Sequence, residues 1–428
     1  MKLVDVLSLE TKLRYKYSML SFMEYISEAA DSAQNLHMTH ADEDIFERGD
    51  KGAQAAIDFL KDFAETVGTN EANLTVKWDG APALFAGYDP SDNKFFVGTK
   101  SVFAKNPKLY KTQKDITDNE KGGKAQKLKV ALKELPSVGI PKGTVLQGDM
   151  LFTKGDQKYE TIDGVRYLTV HPNTIVYAWP SNSDVAKRIR NANIGIIWHT
   201  SYSGRGDLST YSATFGVDVS KLKTTRNVFM DDAYFKGANI GLDDNEYRSL
   251  ISHISKAERY IGNFDDVVTV MNSIPSSAAG ANVKTFINSK IRAGQLPNPR
   301  SAANEYLDYL KTYWEDKVIS KVKSETAINT KKAALKQLLD DLKSIMPTLV
   351  KAFQYVDEIT QAKMIAINKL NMINNQKTFV LTNDGFKVTE PEGYVAINTE
   401  KGEAVKFVDR LNFSHFNFSS EYIKGWQR

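Results

Sequence analysis

Hydrophobic and polar positions change their period three times along the chain. Over residues 53–67 the apolar set Ala55, Ala56, Phe59, Leu60, Phe63 and Val67 recurs at helical spacing and stops at Gly68. Residues 21–33 predict an earlier helix. After residue 70 the period drops to two. In Leu74-Thr75-Val76-Lys77-Trp78-Asp79, the residues Leu74, Val76 and Trp78 take one face of a strand, and Thr75, Lys77 and Asp79 the other. Gly80 and Pro82 then turn the chain. Further strands are predicted over 94–100, 143–152, 167–179 (broken at Pro172) and 194–200, with a short helix at 183–191.

From about 243 to 375 the period returns to 3.6 in five helical runs, broken at Gly262, Pro275, Gly294 to Pro299 and Pro347. Alternation then resumes. The run 376–382 leads through Asn383-Asp384-Gly385, a hairpin signal, into 386–388, and strands follow at 392–398 and 404–408. Strands on both sides of the helices predict one α+β unit interrupted by an all-helical insertion. The expected divisions are a helical N-terminal segment (1–70), a first core part (71–240), the insertion (241–375) and a second core part (376–428).

Composition narrows the function classes. Zero cysteines exclude disulfides, thiolate metal sites and cysteine nucleophiles. No apolar run reaches the length of a membrane span and no signal-peptide pattern opens the chain, so a cytoplasmic protein is expected. The net charge of +4 is mild, but eleven lysines against three acids fall between Lys94 and Lys133, a density that suits a phosphate backbone. The positive excess over 284–369 is spread out and reads as a solvated helical surface. His37 and His40, followed by Asp42, Glu43 and Asp44, read as a polar loop or helix cap rather than a metal cluster. His199, inside an apolar strand, reads as an interior histidine.

The chemistry lies in an ordered set: Lys77-Trp78-Asp79-Gly80, then Gly148-Asp149, Val176-Tyr177-Ala178, Glu392-Gly393-Tyr394-Val395 and Lys406. This set resembles the nucleotidyltransferase motifs of ATP-dependent polynucleotide ligases and mRNA capping enzymes. The resemblance implies a ligase-type nucleotidyltransferase domain of antiparallel sheets flanked by helices. It also implies that Lys77 attacks the α-phosphate of ATP to form a lysyl-AMP. Glu392 would help bind Mg²⁺, and Lys406 would neutralise the α-phosphate and lower the Lys77 pKa. Asp149 takes the place of the acid near the ribose, and Tyr177 that of the ring stacked on the purine. Asp79, Gly80, Lys100 and Arg410 complete the expected nucleotide-binding set.

The chain departs from the pattern in places. Ala81-Pro82-Ala83 follows the Lys-x-Asp-Gly run where an arginine is common, Thr75 stands where a glutamate is common, and Val408 replaces a second lysine. Too few residues follow Lys406 for a C-terminal OB-fold, which favours an RNA ligase over a DNA ligase. A narrower likeness, over roughly 35–215, joins His37-Met38-Thr39-His40, Gln147-Gly148-Asp149, His171-Pro172-Asn173-Thr174 and Trp198-His199-Thr200 to the Lys77 motif. It resembles a family of uncharacterised tailed-phage proteins and implies the cytoplasm of an infected bacterium. The expected activity is end-joining or nick-sealing of RNA or DNA in nucleic-acid repair. The alternatives are a non-sealing nucleic-acid-binding phage protein on this fold, or nucleotide transfer to another kind of acceptor.

Overall fold

The computed structural model describes residues 38–69, 74–237, 240–374, 376–398, 403–419 and 421–425. The helix expected over 21–33, His37 and the turn at 401–402 lie outside the described residues. In chain order, α1 (Ile45–Thr66) precedes β1 (Leu74–Lys77), β2 (Ala83–Tyr88), β3 (Phe95–Gly98), α2 (Gln113–Asn119) and α3 (Gly122–Glu134). Then come β4 (Thr144–Thr153), β5 (Lys158–Ile162), β6 (Val165–Val170), β7 (Ile175–Pro180), α4 (Asp184–Asn191), β8 (Ile194–Ser203), β9 (Ser212–Phe215) and β10 (Val228–Asp232). A helical stretch follows: α5 (Asp244–Glu258), α6 (Phe264–Asn272), α7 (Val283–Arg292), α8 (Ala302–Trp314), α9 (Glu325–Ser344) and α10 (Met346–Ile373). The strands β11 (Lys377–Thr382), β12 (Gly385–Thr389), β13 (Gly393–Asn398) and β14 (Glu403–Phe407) lead to α11 (Arg410–Phe418).

Local chemistry explains many of the boundaries. Thr112 and Asp243 each close a capping box at the start of α2 and α5, and the Ser183 hydroxyl caps α4. The Asn383-Asp384 loop joins Thr382 to Gly385 as the hairpin signal predicts. A second hairpin, β5–β6, escaped that reading. Its turn is Asp163-Gly164, both at positive φ, and its first strand is largely exposed.

The fold is α+β, and its sheets are antiparallel apart from the parallel pair β8–β10. Sheet one has the order β1-β13-β14. Sheet two is β10-β8-β4-β2-β3, with β9 beside β8, and sheet three is β12-β11-β7-β6-β5. The core face of sheet one carries Leu74, Tyr394, Ala396, Val405 and Phe407, which join one apolar cluster with α1 and the helices from α5 to α10. Phe63 of α1 meets Phe407 edge to face at 6.5 Å, and the Tyr355 hydroxyl of α10 donates to the Ala53 carbonyl at 2.8 Å. The helices between β10 and β11 thus share their core with the N-terminal helix and the sheet. Separate clusters lie between sheet two and α3, around Leu128, Met150 and Trp198, and between sheets two and three, around Phe152 and Tyr177. Among the described residues no helix is long and apolar enough to cross a membrane.

Candidate functional site

Sheet one turns its other face to a cleft. Lys77 pairs with Gly393 and Thr75 with Val395, while Val395 pairs with Lys406 on its far side. Paired residues share a face, and so do residues two apart on one strand, so Lys77 and Lys406 project on the same side across the sheet. Glu392, just before β13, forms an ion pair with Lys77. Gly393 sits at φ +154°, and a Cβ there would lie 2.4 Å from the Phe407 carbonyl oxygen. Only glycine fits this point, where the strand bearing Glu392 turns into the sheet.

Sheet two forms the opposite wall. Asp149 on β4 pairs with Ala83 and Ile197. Gly80 lets β4 approach, since a Cβ there would fall 2.5 Å from the Asp149 Cβ. On β8 the register shifts: Gly148 pairs with Trp198 but Gln147 with Thr200, which leaves His199 as the extra residue of a bulge. The bulge brings His199 Nε2 to 3.8 Å from Asp149 Oδ2, with Nδ1 2.8 Å from the Thr200 hydroxyl. His199 is a largely buried, hydrogen-bonded histidine, as expected, and the bulge sets it beside Asp149. His199 keeps 21% of its side chain open beside Asp149.

Electrostatics tie the two walls together. Burial pushes the Asp149 and Glu392 carboxyls up to about 7, against the pull of Lys77. Burial alone would lower the Lys77 ammonium, but the Glu392 carboxylate against it, with Asp149 and Asp79 behind, holds it raised, which corrects the expectation that Lys406 lowers it. Burial, then Lys77, brings Lys406 down to about 8 and His199 down to about 4.

Other expected residues sit differently. The Asp79 carboxylate accepts from Asn173 Nδ2 at 2.8 Å and from the backbone N–H groups of Thr174 and Ile175 at 2.7 and 2.9 Å. Its own N–H donates to the Tyr177 hydroxyl at 2.7 Å. Asp79 is a latch on the Asn173-Thr174 turn, and its contacts are structural rather than aimed at a nucleotide. Tyr177, expected to stack on a base, is fully buried with its ring against Trp78, centroids 4.6 Å apart. It offers no open face in this structure. Arg410, expected near the nucleotide, is buried in an ion pair with Glu43 and donates to the Asn288 side chain of α7. It lines a cavity of about 170 Å³ with Asp42, Thr360 and Lys363. Lys100 is exposed and begins the turn after β3, two residues beyond the Phe85–Gly98 pair. Lys77, Glu392, Lys406 and Asp149 come together, and Gly80 shapes the space between them.

One family model, described as a family of unknown function (DUF6267), matches residues 35–422. The chain belongs to the DUF6267 family. No curated protein and no solved structure matches this DUF6267 chain.

Two features were not visible in the sequence. The bulge that aims His199 depends on the register with β4, which no local pattern encodes. Lys284, from the helical stretch, pairs with Glu47 and acts on the charge of Lys406. Among the described residues no group of three His, Asp or Glu gathers as a ready-made metal site. A metal here would need ligand oxygens to complete its shell, as Mg²⁺ commonly does with substrate phosphates.

Proposed function

We propose that this protein is an ATP-dependent polynucleotide ligase-like nucleotidyltransferase on a ligase-type nucleotidyltransferase domain, acting through a Lys77 adenylate on RNA or DNA ends or nicks. The observation that carries this reading is the convergence of Lys77, Glu392 and Lys406 on one face of sheet one, opposite Asp149. Lys77 precedes Glu392 and Lys406 by more than 300 residues, and the residues follow the ligase order.

The chemistry asked of each residue is specific. The Lys77 amine forms a bond to the α-phosphorus of ATP as the bond to the β-phosphate oxygen breaks and pyrophosphate leaves. The ammonium must first lose its proton. Asp149, across the cleft, is the carboxyl left to take it, since Glu392 is assigned to the metal. Lys406 then faces the α-phosphate as the cation that offsets its developing charge. AMP would pass from Lys77 to a 5′-phosphate, and a 3′-hydroxyl would displace it. A buried carboxyl held up by burial fits a divalent cation, and Glu392 would hold Mg²⁺, which supplies charge neutralisation of the triphosphate when bound. The same reading sets the protein in the cytoplasm of a phage-infected bacterium.

A second reading is a non-sealing nucleic-acid-binding protein on the same fold, and the burial of Tyr177 and the presence of Val408 favour it. Transfer to a different acceptor is the third. Incubation with α-labelled ATP and Mg²⁺, followed by denaturation, separates the covalent readings from the second. Label retained by the wild type and absent from Lys77→Ala supports the proposal; no label with any nucleotide or metal rejects it. Sealing of nicked RNA, nicked DNA and single-stranded RNA then identifies the acceptor.

A further inference from the structure

We infer that His40 and Lys284 extend the cleft past Lys406 into a polyphosphate-binding row, in which Lys406 meets the α-phosphate and His40 and Lys284 hold the β- and γ-phosphates of a nucleoside triphosphate. The placement of those phosphates rests on the nucleotidyl-transfer reading, whereas the anion site itself stands on the residues described next.

Residues 39–41 add to the edge of β14. The Lys406 N–H donates to the Thr39 carbonyl at 3.2 Å, and the Ala41 N–H donates to the Lys406 carbonyl at 3.2 Å. This bridge pairs His40 with Lys406. His40 therefore extends the Lys77–Lys406 face by one strand, and the cleft face reads Lys77, Lys406, His40 from β1 outwards.

The helical stretch reaches the same edge. The Thr39 hydroxyl donates to one oxygen of Glu47, and Lys284 of α7 forms an ion pair with the other. Asn288, one turn along α7 from Lys284, meets Arg410, four residues after Lys406. Lys284 and Glu47 both act on the charge of the Lys406 ammonium, which sets them at its end of the sheet.

Two features call for an anion there. Lys77 has Glu392 and Lys284 has Glu47, but among the described residues no carboxylate forms an ion pair with Lys406. The Nδ1 atom of His40 is buried with no hydrogen-bond partner. A half-buried ammonium and an orphaned ring nitrogen, side by side, are costly unless something fills the place. Burial and the cations Arg410, Lys363, Lys406 and Lys77 keep the His40 ring neutral, so it serves as a hydrogen-bond donor or acceptor rather than a charge. Asp42, Glu43 and Glu47 also border this end, but Asp42 and Glu43 already answer Lys363 and Arg410. Glu47 is the residue that an incoming phosphate displaces from Lys284, a local exchange of one anion for another.

The test uses the full chain and inorganic tripolyphosphate, which needs no chemistry at Lys77. Calorimetry at low salt is expected to show binding that weakens as salt rises. Lys284→Ala should lower the affinity roughly tenfold, and Lys284→Arg should restore most of it. AMP, which lacks the outer phosphates, should bind wild type and Lys284→Ala alike. Failure of wild type to bind tripolyphosphate, or equal binding by wild type and Lys284→Ala, overturns the inference. Loss of AMP binding in Lys284→Ala to the same degree also overturns it, because that is the mark of a general structural role. Tripolyphosphate binding without α-labelled ATP transfer would leave this site standing and remove the covalent mechanism.

Discussion

At the scale of single residues, the cleft holds charge against its own solvation. Asp149 is the clearest case, with its carboxyl pushed up to about 7 by burial. Between about pH 4 and 7 the unfolded chain has lost this proton while the folded chain keeps it, so stability falls as pH rises through that window. Asp149→Asn removes the penalty. Thermal or urea denaturation at pH 8 should find the variant more stable by roughly 1–3 kcal/mol, with no gain at pH 4. On the proposed function the same variant loses labelling by α-labelled ATP, the usual cost of relieving a strained site. Lys406 carries the opposite sign. Its ammonium is brought down to about 8, so anion binding at its end of the cleft should weaken as pH climbs from 7 to 9, measured by calorimetry with tripolyphosphate. Much at this scale was legible. Lys77, Glu392 and Lys406 could be chosen because their order and strand phase are properties of the chain. The hydrogen bonds that Asp79 makes to the Asn173-Thr174 turn were not legible, because a carboxylate bonded to backbone N–H groups looks, in a sequence, the same as one awaiting a ligand.

At the scale of elements, the fit of β1 against β4 and of Asp79 against the start of β7 sets the cleft. Gly80→Ala would place a methyl group 2.5 Å from the Asp149 Cβ, so the two segments must part. A loss of about 1–3 kcal/mol in chemical denaturation is expected, together with loss of nucleotide binding. Asp79→Ala leaves two backbone N–H groups and the Asn173 amide without their acceptor. It should cost about 3 kcal/mol or more, which distinguishes a latch from a nucleotide ligand, whose removal would leave stability near wild type. Strand phase and the Asn383-Asp384-Gly385 turn were readable because period and turn chemistry are local. The β8 bulge was not, because it depends on which residues of β4 lie opposite. The placing of His199 beside Asp149 was not legible for that reason.

At the scale of the whole molecule, sequence alternation found helices between two groups of strands but not where those helices pack. They share one apolar cluster with α1 and with the core face of sheet one. Unfolding followed by tryptophan fluorescence, which reports Trp314 in α8 and Trp198 in β8, should therefore coincide with loss of far-ultraviolet ellipticity. Two separated transitions would show that the helices form an independent unit. The isolated segment 244–373 is expected to bind hydrophobic dyes, because the surface that sheet one covers would be bare.

The pairing of β1 with β13, and of β13 with β14, has a consequence for how the protein comes into being. Lys77 emerges from the ribosome about 300 residues before the strands that give it a face, a counter-ion and a companion cation. Only a chain translated past residue 407 can assemble that face, so on the proposed function a prematurely terminated copy would carry no lysyl-AMP.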